Sequence, residues 1–269
     1  MDDHLQANRK MWDEFVTINS RSEMYQLEEF KKGMNKLNSL EISEVGEVKG
    51  KSLLHLQCHF GMDTLSWARL GAQVTGVDFS PKGIGMAKSL SQDLHIPGRF
   101  ICCNLYDLPD LLDEQFDIVF TSYGVLCWLP DIPRWAQIAS SYVKPGGFFY
   151  IAESHPFINV FDDEKDVKEL KVRYPYFHSG PMEFVADGSY ADPVARIPPH
   201  KEYEWMHGMG EIVTSLCDAG LKIEFLHEFP SACFAQLPFM EKGDDGNWRL
   251  PGNDQYLPLT FSLKATKLV

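Results

Sequence analysis

The sequence predicts an α/β fold with a mostly parallel β-sheet, helices on both faces and an antiparallel edge at the carboxyl end. The first observation is that apolar runs of strand length alternate with helical segments between residues 49 and 155. This alternation is typical of parallel strands that are connected by helices. The second observation is that the last two apolar runs, residues 221–229 and 257–268, have no helical pattern between them. These two runs therefore predict an antiparallel pair of strands.

Residues 1–48 are predicted to form an N-terminal helical cap. Over residues 4–38 apolar side chains recur at the intervals expected for one face of a helix. These side chains are Leu5, Met11, Trp12, Phe15, Val16, Met24, Leu27 and Phe30.

Residues 49–155 form a predicted core of five strands and three main helices. The strands are expected at residues 52–57, 72–79, 99–105, 116–126 and 148–154, and the helices at 63–70, 82–94 and 131–143. Ser80 and Pro81 are expected to begin the second helix, because serine caps helix N-termini and proline suits the first helical position.

The segment 156–202 breaks the alternation of strands and helices. Its prolines stand at positions 156, 175, 181, 193, 198 and 199, and periodic patterns are few. A long irregular segment inside a compact domain is usually functional, so we expect 156–202 to be a lid. Residues 203–269 are expected to add a helix, read from 202–220, and the antiparallel strands. The whole chain, 1–269, is interpreted as one domain.

Composition and charge restrict the classes of function. The chain has 269 residues, is 44% hydrophobic and carries a formal net charge of −13. A field of this sign repels phosphate backbones, so nucleic acid is not an expected partner. No apolar run approaches the roughly 18 residues of a membrane span, and the acidic start of the chain is unlike a signal peptide. The six cysteines form no C-x-x-C pair, which argues against a zinc site or a disulfide framework. We expect a cytoplasmic protein that acts on a small molecule, away from membranes.

The turn after the first predicted strand reads Gln57-Cys58-His59-Phe60-Gly61. In an open α/β sheet, ligands bind beyond the carboxyl ends of the strands, so this turn is a candidate binding site. A dinucleotide needs several glycines to bring the backbone against its pyrophosphate. With one glycine, the turn argues against NAD and FAD. It also lacks the Lys-Ser/Thr pair of a phosphate-binding P-loop.

Asp78 ends the second predicted strand, at a distance along the chain from Gly61 that suits a ribose-binding carboxylate. The alternative is that Asp78 only precedes the helix that begins at Ser80. Both interpretations stay open at this point.

The segment "LLHLQCHFGMDTLSWARLGAQVTGVDFSPKGI" resembles the first two motifs of class I S-adenosylmethionine-dependent methyltransferases. It is more narrowly similar to a group of bacterial methyltransferase-domain proteins whose turn reads Leu-Gln-Cys-His-Phe-Gly. The resemblance continues through "FDIVFTSYGVLCWLPD", "VKPGGFFYIAE" and "EIVTSLCDAGLKIEFLHEF", and so covers the chain from about residue 50 onward. It implies a Rossmann-like, seven-stranded sheet with an antiparallel C-terminal hairpin, and S-adenosylmethionine as the cofactor.

The resemblance also implies roles for five residues. Gly61 would contact the methionine part of the cofactor, and Asp78 would bind the ribose hydroxyls. Phe79 would lie beside the adenine. Asn104 would meet the adenine amino group, with the backbone of Leu105 alongside, and an asparagine carbonyl oxygen can accept that hydrogen bond.

Two histidines depart from the family pattern. The family's first motif is an acidic residue followed by x-G-x-G-x-G. His55 stands where the family has the acidic residue, Gln57 stands at the first glycine position, and His59 replaces the central glycine. Contacts to the cofactor's ammonium group would then shift to Asp63, which follows Gly61 by two residues. His59 is interpreted either as a contact residue or as a packed ring. Trp12 and Tyr25 are expected to close over the cofactor, with a plain helical cap on the sheet as the alternative.

The acceptor side is expected at the ends of the fourth and fifth strands. Tyr123 follows the fourth strand and is a candidate to orient the acceptor or to contact the sulfonium through a cation–π interaction. Glu153 and His155 end the fifth strand, and His155 is the candidate general base because its ordinary pKa is about 6.5. The alternative for His155 is a ring that anchors the turn at Pro156.

A second group of candidate substrate residues consists of His200, Tyr203 and His207. They are expected at the start of the predicted helix 202–220, where His200 and His207 would share a face. No H-x-x-x-H pair supports a metal site, so none is expected.

The sequence therefore predicts S-adenosylmethionine-dependent methyl transfer to a small-molecule acceptor. The alternative is a catalytically silent protein of the same fold that acts as a cofactor sensor or scaffold. The altered first motif keeps this alternative open, whereas the single glycine disfavours an oxidoreductase with another nucleotide. The sequence specifies neither the acceptor nor the oligomeric state.

Overall fold

A seven-stranded sheet lies at the centre of the structure, a computed structural model that describes residues 2–177, 180–192, 194–252 and 257–269. Residues 178, 179 and 193 of the predicted lid lie outside the described residues. The strands are β1 (Ser52–Leu56), β2 (Gln73–Asp78), β3 (Arg99–Cys102), β4 (Phe116–Ser122), β5 (Val143–Ser154), β6 (Met182–Ala186), β7 (His200–Glu204), β8 (Leu221–Phe229), β9 (Glu241–Lys242), β10 (Trp248–Arg249) and β11 (Thr260–Lys267).

The strand order in the main sheet is β3–β2–β1–β4–β5–β11–β8. Strands β1 to β5 pair in parallel, and β11 is antiparallel to both β5 and β8. The predicted fold class is confirmed, including the antiparallel pair at the carboxyl end. At this antiparallel edge, the reversed strand β11 is inserted between β5 and β8. The edge strand β8 thus runs in the same direction as β5.

Seven α-helices accompany the strands in the described residues. They are α1 (Asp3–Asn19), α2 (Leu27–Lys31), α3 (Ser39–Val45), α4 (Met62–Arg69), α5 (Pro81–Asp93), α6 (Ile132–Tyr142) and α7 (Met209–Asp218). Helices α4 and α5 pack on one face of the sheet, and α6 and α7 pack on the other. Ser80 caps α5 as predicted, since its Oγ accepts a hydrogen bond from the Gly83 N–H at 2.9 Å. Among the described residues, no helix combines the length and apolarity needed to cross a bilayer.

The N-terminal cap is divided into three helices, whereas the sequence pattern had suggested helix throughout residues 4–38. Helix α1 ends at Asn19. The hydroxyl of Ser20 donates to the Thr17 carbonyl, and that of Ser22 donates to the Asn19 carbonyl. Serine side chains that bond the local backbone compete with helical hydrogen bonding, which explains the break.

The prediction of a helix over residues 202–220 was wrong for its first residues. Residues His200–Glu204 form strand β7, which pairs with β6, and helix α7 begins only at Met209. The side chain of Asn8 accepts from the Tyr203 N–H at 2.8 Å and donates to the Tyr203 carbonyl at 2.7 Å. These bonds to α1 hold the segment extended, and tertiary contacts of this kind override a helical pattern.

The β6–β7 hairpin gives the predicted lid part of its structure. It packs on α1, where Ala186 joins a small core with Met11 and Phe15. The N-terminal cap and the lid segment therefore meet in one layer above the carboxyl ends of the central strands.

Candidate functional site

The carboxyl ends of β1 and β4 mark the switch point of the sheet. Strand β1 connects onward to β2 on one side, while the chain returns from β3 to β4 on the other side. In open α/β sheets ligands bind in the crevice at this point. The turn after β1, residues 57–61, lies at this crevice.

The turn has a left-handed backbone at every second residue. The φ angles are 57° at Gln57, 51° at His59 and 81° at Gly61. Among the described residues, five non-glycine residues have a positive φ. Gln57 and His59 are two of them, and a third, Tyr123 with φ 42°, follows β4. Three of the five strained residues therefore surround one crevice, and such clustering is typical of functional sites.

Gly61 is required by packing as well as by backbone conformation. A Cβ at this position would lie 2.8 Å from Ala87 Cβ and 2.9 Å from Phe100 Cε1. Real Cβ atoms do not approach other atoms so closely. The glycine lets the start of α4 approach α5 and β3, which settles the position of the whole turn.

Asp78 joins the end of β2 to the turn. One carboxylate oxygen accepts from the His59 N–H and the other accepts from the Ser80 N–H, each at 2.8 Å. Burial raises the pKa of Asp78 to about 7, and nearby Asp13 adds to the rise. Asp13 accepts from the Ser80 hydroxyl at 2.6 Å. Each Asp78 oxygen retains a lone pair, so the carboxylate can still accept from ligand hydroxyls.

The side chain of Gln57 spans the crevice between β1 and β4. Its Nε2 donates to the Val125 carbonyl at 2.9 Å. Its Oε1 is buried and has no hydrogen-bond partner among the described residues. A buried acceptor without a partner is costly, and it suits a site that a ligand donor completes.

Aromatic rings from the cap and the lid segment cover the turn. Trp12 meets His59 edge-on with ring centroids 5.2 Å apart, and it meets Trp128 at 5.4 Å. The Tyr25 ring lies 5.7 Å from His59, and its hydroxyl is 2.5 Å from that of Tyr190. The structure thus brings Trp12 and Tyr25 to the turn, together with a lid residue.

Asn19 ties this cover together from a fully buried position at the end of α1. Its Nδ2 lies 3.2 Å from His59 Nε2 and donates to the Tyr190 hydroxyl at 3.3 Å. Its Oδ1 accepts from the Ser189 hydroxyl at 2.5 Å. One amide therefore links the cap, the turn and the lid segment.

Glu153 is surrounded by backbone donors. Its carboxylate accepts from the N–H groups of Val125 at 2.7 Å, Leu126 at 3.2 Å, Ser154 at 2.6 Å, and Gly124. Burial raises the pKa of Glu153, and these four donors oppose the rise. The side chain therefore holds the loop after β4 against the end of β5.

Tyr123 points to a buried carboxyl group. Its hydroxyl donates to Glu41 Oε2 at 3.2 Å, and the Asn38 side chain donates to the other Glu41 oxygen. Glu41 is 1% exposed, and burial raises its pKa to about 7. A carboxyl group with this pKa can gain or lose a proton near neutral pH.

Both nitrogens of the His155 ring have neighbours. Nδ1 accepts from the Phe157 N–H at 3.1 Å, and Nε2 lies 2.9 Å from Glu228 Oε1. Burial lowers the pKa of His155, while Glu228 opposes the change. This arrangement matches the alternative interpretation, in which the ring anchors the turn at Pro156.

The remaining cofactor candidates lie around the same edge of the sheet. Asn104 follows β3, and its Oδ1 caps the next turn by accepting from the Tyr106 N–H at 3.1 Å. Asp63 is in the first turn of α4, where burial raises its pKa to about 6. His55 is buried below the turn, with Nδ1 2.8 Å from Thr64 Oγ1, and burial lowers its pKa to about 3. Phe79 is half-buried and follows Asp78 directly.

The three candidates His200, Tyr203 and His207 are not brought together. His200 begins β7, and the Tyr203 hydroxyl donates to Glu183 at 2.9 Å, on the exposed face of the hairpin. His207 lies before α7, with Nε2 2.7 Å from the Leu129 carbonyl. The prediction that His200 and His207 share a helix face was wrong, because His200 and Tyr203 belong to strand β7.

Several site residues were not singled out from the sequence, namely Asp13, Asn19, Glu41 and Tyr190. Only Glu41 carried a signal. It stands between Leu37 and Val45 at four-residue spacing, so an acidic residue occupies a core position. The other three depend on tertiary contacts that no local pattern indicates. In the part of the chain that the structure describes, no group of three or more His, Cys, Asp or Glu side chains is placed to hold a metal ion.

The core of the chain is similar in sequence to known proteins. Residues 54–151 match the family described as "Methyltransferase domain". The chain is 30% identical over 124 residues to a ubiquinone biosynthesis O-methyltransferase of Chromobacterium violaceum, a match that covers 45% of this chain and 53% of that protein. It is 31% identical over 130 residues to an uncharacterized methyltransferase of Synechocystis sp., covering 46% and 56%. The chain thus spans about half the length of these relatives.

Solved structures share the fold over nearly the whole chain. An S-adenosylmethionine-dependent methyltransferase from Mesorhizobium loti aligns with a TM-score of 0.57 and 19% identity, covering 87% of this chain and 99% of that one. DhpI in complex with SAH aligns with a TM-score of 0.58 and 14% identity, covering 98% and 97%. These likenesses confirm the predicted fold.

Proposed function

We propose that the chain is an S-adenosylmethionine-dependent methyltransferase that acts on a small-molecule acceptor. The observation that carries the proposal is the backbone of the turn after β1. Gln57, His59 and Gly61 are left-handed at the three alternate positions where a glycine-rich turn has its glycines. The left-handed conformation costs roughly 1–3 kcal/mol at each non-glycine residue. The turn adopts it at Gln57 and His59 despite this cost, and so has the backbone shape of a glycine-rich turn although its sequence is altered. The match of residues 54–151 to the methyltransferase-domain family supports the same function.

The residues at the carboxyl edge of the sheet suit this cofactor. Asp78 retains lone pairs for two ribose hydroxyls at the end of β2. Phe79, Asn104 and Leu105 follow β2 and β3, where we place the adenine. The orphaned Gln57 oxygen provides an acceptor at the other end of the site. When bound, S-adenosylmethionine supplies a methyl group on a positively charged sulfur.

The aromatic cover serves two purposes in this proposal. Trp12, Tyr25 and Tyr190 close the crevice against water, and excluding water strengthens the electrostatic interactions inside it. A tryptophan or tyrosine ring also attracts a cation, as the Tyr25 ring does with Lys36 Nζ at 5.8 Å, and such an attraction favours a sulfonium over a neutral thioether. We leave His55 out of the cofactor contacts, because its ring is buried below the turn.

On the acceptor side we retain Tyr123 and give Glu153 and His155 supporting roles. Tyr123 is strained, follows β4 and is bonded to a carboxyl group, Glu41, whose pKa near 7 lets it take up a proton. Glu153 uses its oxygens to hold backbone N–H groups, so it positions the loop after β4. His155 holds the turn at Pro156. Alignment of reacting groups by such a rigid edge can contribute roughly 7–11 kcal/mol.

The family match ends at residue 151, before the lid segment that we expect to contact the acceptor. The identity of the acceptor is therefore not part of the proposal. The test is incubation of the purified protein with methyl-labelled S-adenosylmethionine and a small-molecule extract. Label in a low-molecular-weight product supports transfer. Binding of the cofactor without any transfer favours the silent alternative, and absence of binding refutes the proposal.

A further inference from the structure

The side chain of Gln57, in the turn after β1, has incomplete hydrogen bonding, because one of its buried atoms has no partner among the described residues. The orientation of its amide is not arbitrary, because Nε2 faces the Val125 carbonyl at 2.9 Å. The opposite orientation would set two oxygens against each other. Oε1 is therefore the buried atom without a partner among the described residues.

The position of this oxygen is held from both sides of the crevice. Val125, which accepts from Gln57, also donates its N–H to Glu153 at 2.7 Å. The backbone of Gln57 has the unfavourable φ of 57°. A native protein rarely keeps both a strained backbone and an unpaired buried acceptor at one residue unless the site has a use.

The order of the strands indicates which part of a ligand reaches Gln57. Along the carboxyl edge the order is β3, β2, β1 and β4, with neighbouring strands about 4.8 Å apart. Asn104 follows β3 and Asp78 ends β2, so a nucleoside would lie over these two strands. A ligand that continues beyond the ribose arrives at the gap between β1 and β4.

We propose that Gln57 Oε1 accepts a hydrogen bond from the α-ammonium group of the cofactor's amino-acid part. An ammonium group carries three donors and no acceptor, which matches an oxygen that can only accept. This inference rests on the proposed function and gives this role to a side chain, at a position where the related family has a glycine.

The charges near the turn are compatible with an ammonium group. Burial lowers the pKa of both His55 and His59 to about 3, so both rings are neutral at pH 7. Asp63, in the first turn of α4, and Asp78, which accepts from the His59 N–H, are acidic groups next to the turn, and the charge of Lys36 acts on Asp63. No positive histidine therefore opposes a cation at this place.

The experiment compares two ligands by isothermal titration calorimetry. One is S-adenosylhomocysteine and the other is its analogue without the α-amino group. Gln57→Met keeps the length of the side chain and removes the acceptor. We expect the variant to lose about tenfold or more in affinity for S-adenosylhomocysteine, as for a hydrogen bond to a charged group, and little for the analogue.

Gln236→Met provides a matched control. Gln236 has a comparable amide, with Nε2 donating to the Ser154 hydroxyl at 2.6 Å and a buried Oε1 without a partner among the described residues. It belongs to the loop between β8 and β9, and its amide lies against the end of β5. We expect this variant to weaken both ligands equally or not at all.

Three results would overturn the inference. They are equal losses for both ligands in Gln57→Met, no loss in that variant, or the same selective loss in Gln236→Met. A wild-type protein that binds neither ligand would instead contradict the proposed function. Thermal unfolding of each variant verifies that the comparison is made on folded protein.

Discussion

Glu153→Gln tests whether Glu153 positions the loop after β4 or acts as a base. Each carboxylate oxygen of Glu153 accepts two backbone N–H groups, from Gly124 and Ser154 on one side and from Val125 and Leu126 on the other. In the variant, the amide NH₂ group must face two of these donors in either orientation. Two hydrogen bonds to a charged group are then lost, at about 1.5–3 kcal/mol each.

The expected loss in the free energy of unfolding is thus about 3–6 kcal/mol. Urea denaturation followed by circular dichroism measures it, with a midpoint lowered by about 1 M or more. Glu228→Gln is the control, because Glu228 is 53% exposed and its contact with His155 should contribute under about 1 kcal/mol. A Glu153→Gln protein as stable as the wild type would refute the positioning role. If that stable variant also lost methyl transfer, Glu153 would be a candidate base.

Three further substitutions test separate parts of the site. Asp78→Asn should lower the affinity for S-adenosylhomocysteine about tenfold or more, measured by calorimetry, and an unchanged affinity would remove Asp78 from the site. Glu41 keeps its proton up to about pH 7, so its contribution to stability is complete below about pH 4.5 and is lost as the pH rises through 7. Between pH 4.5 and 8, the free energy of unfolding of Glu41→Gln should therefore rise by about 3 kcal/mol relative to that of the wild type, as measured by urea titrations. A difference in the free energy of unfolding that does not change with pH would contradict the burial argument. Gly61→Ala should destabilise the fold by about 2 kcal/mol or more, because its Cβ would meet Ala87 and Phe100 at a φ of 81°, and a melting temperature equal to that of the wild type would show that this contact can relax.

The alternating core was predictable because its signals are local. Ser80 and Pro81 begin α5 through a cap that depends on four consecutive residues. Strands β1 to β5 are apolar runs of the expected length. The sequence predicts helix where strand β7 lies, because the extended shape of β7 depends on Asn8, which is far away in the sequence.

The candidate site was predictable where backbone topology determines it. Asp78 and the turn after β1 must meet, since the carboxyl ends of neighbouring parallel strands share one edge of the sheet. The environment of a side chain was not predictable in this way. The sequence makes Glu153 and His155 candidate reacting groups, with an anchor of the turn at Pro156 as the alternative for His155. In the structure Glu153 accepts from the N–H groups of Gly124–Leu126 and Ser154, and His155 accepts from that of Phe157. Only the folded loops place those donors.

The most direct test of the account is calorimetric titration of the purified protein with S-adenosylmethionine and, separately, with NADH. We expect micromolar binding of S-adenosylmethionine and no binding of NADH, because the turn lacks the glycines that a pyrophosphate needs. Binding of NADH alone, or of neither ligand by a folded protein, would contradict it.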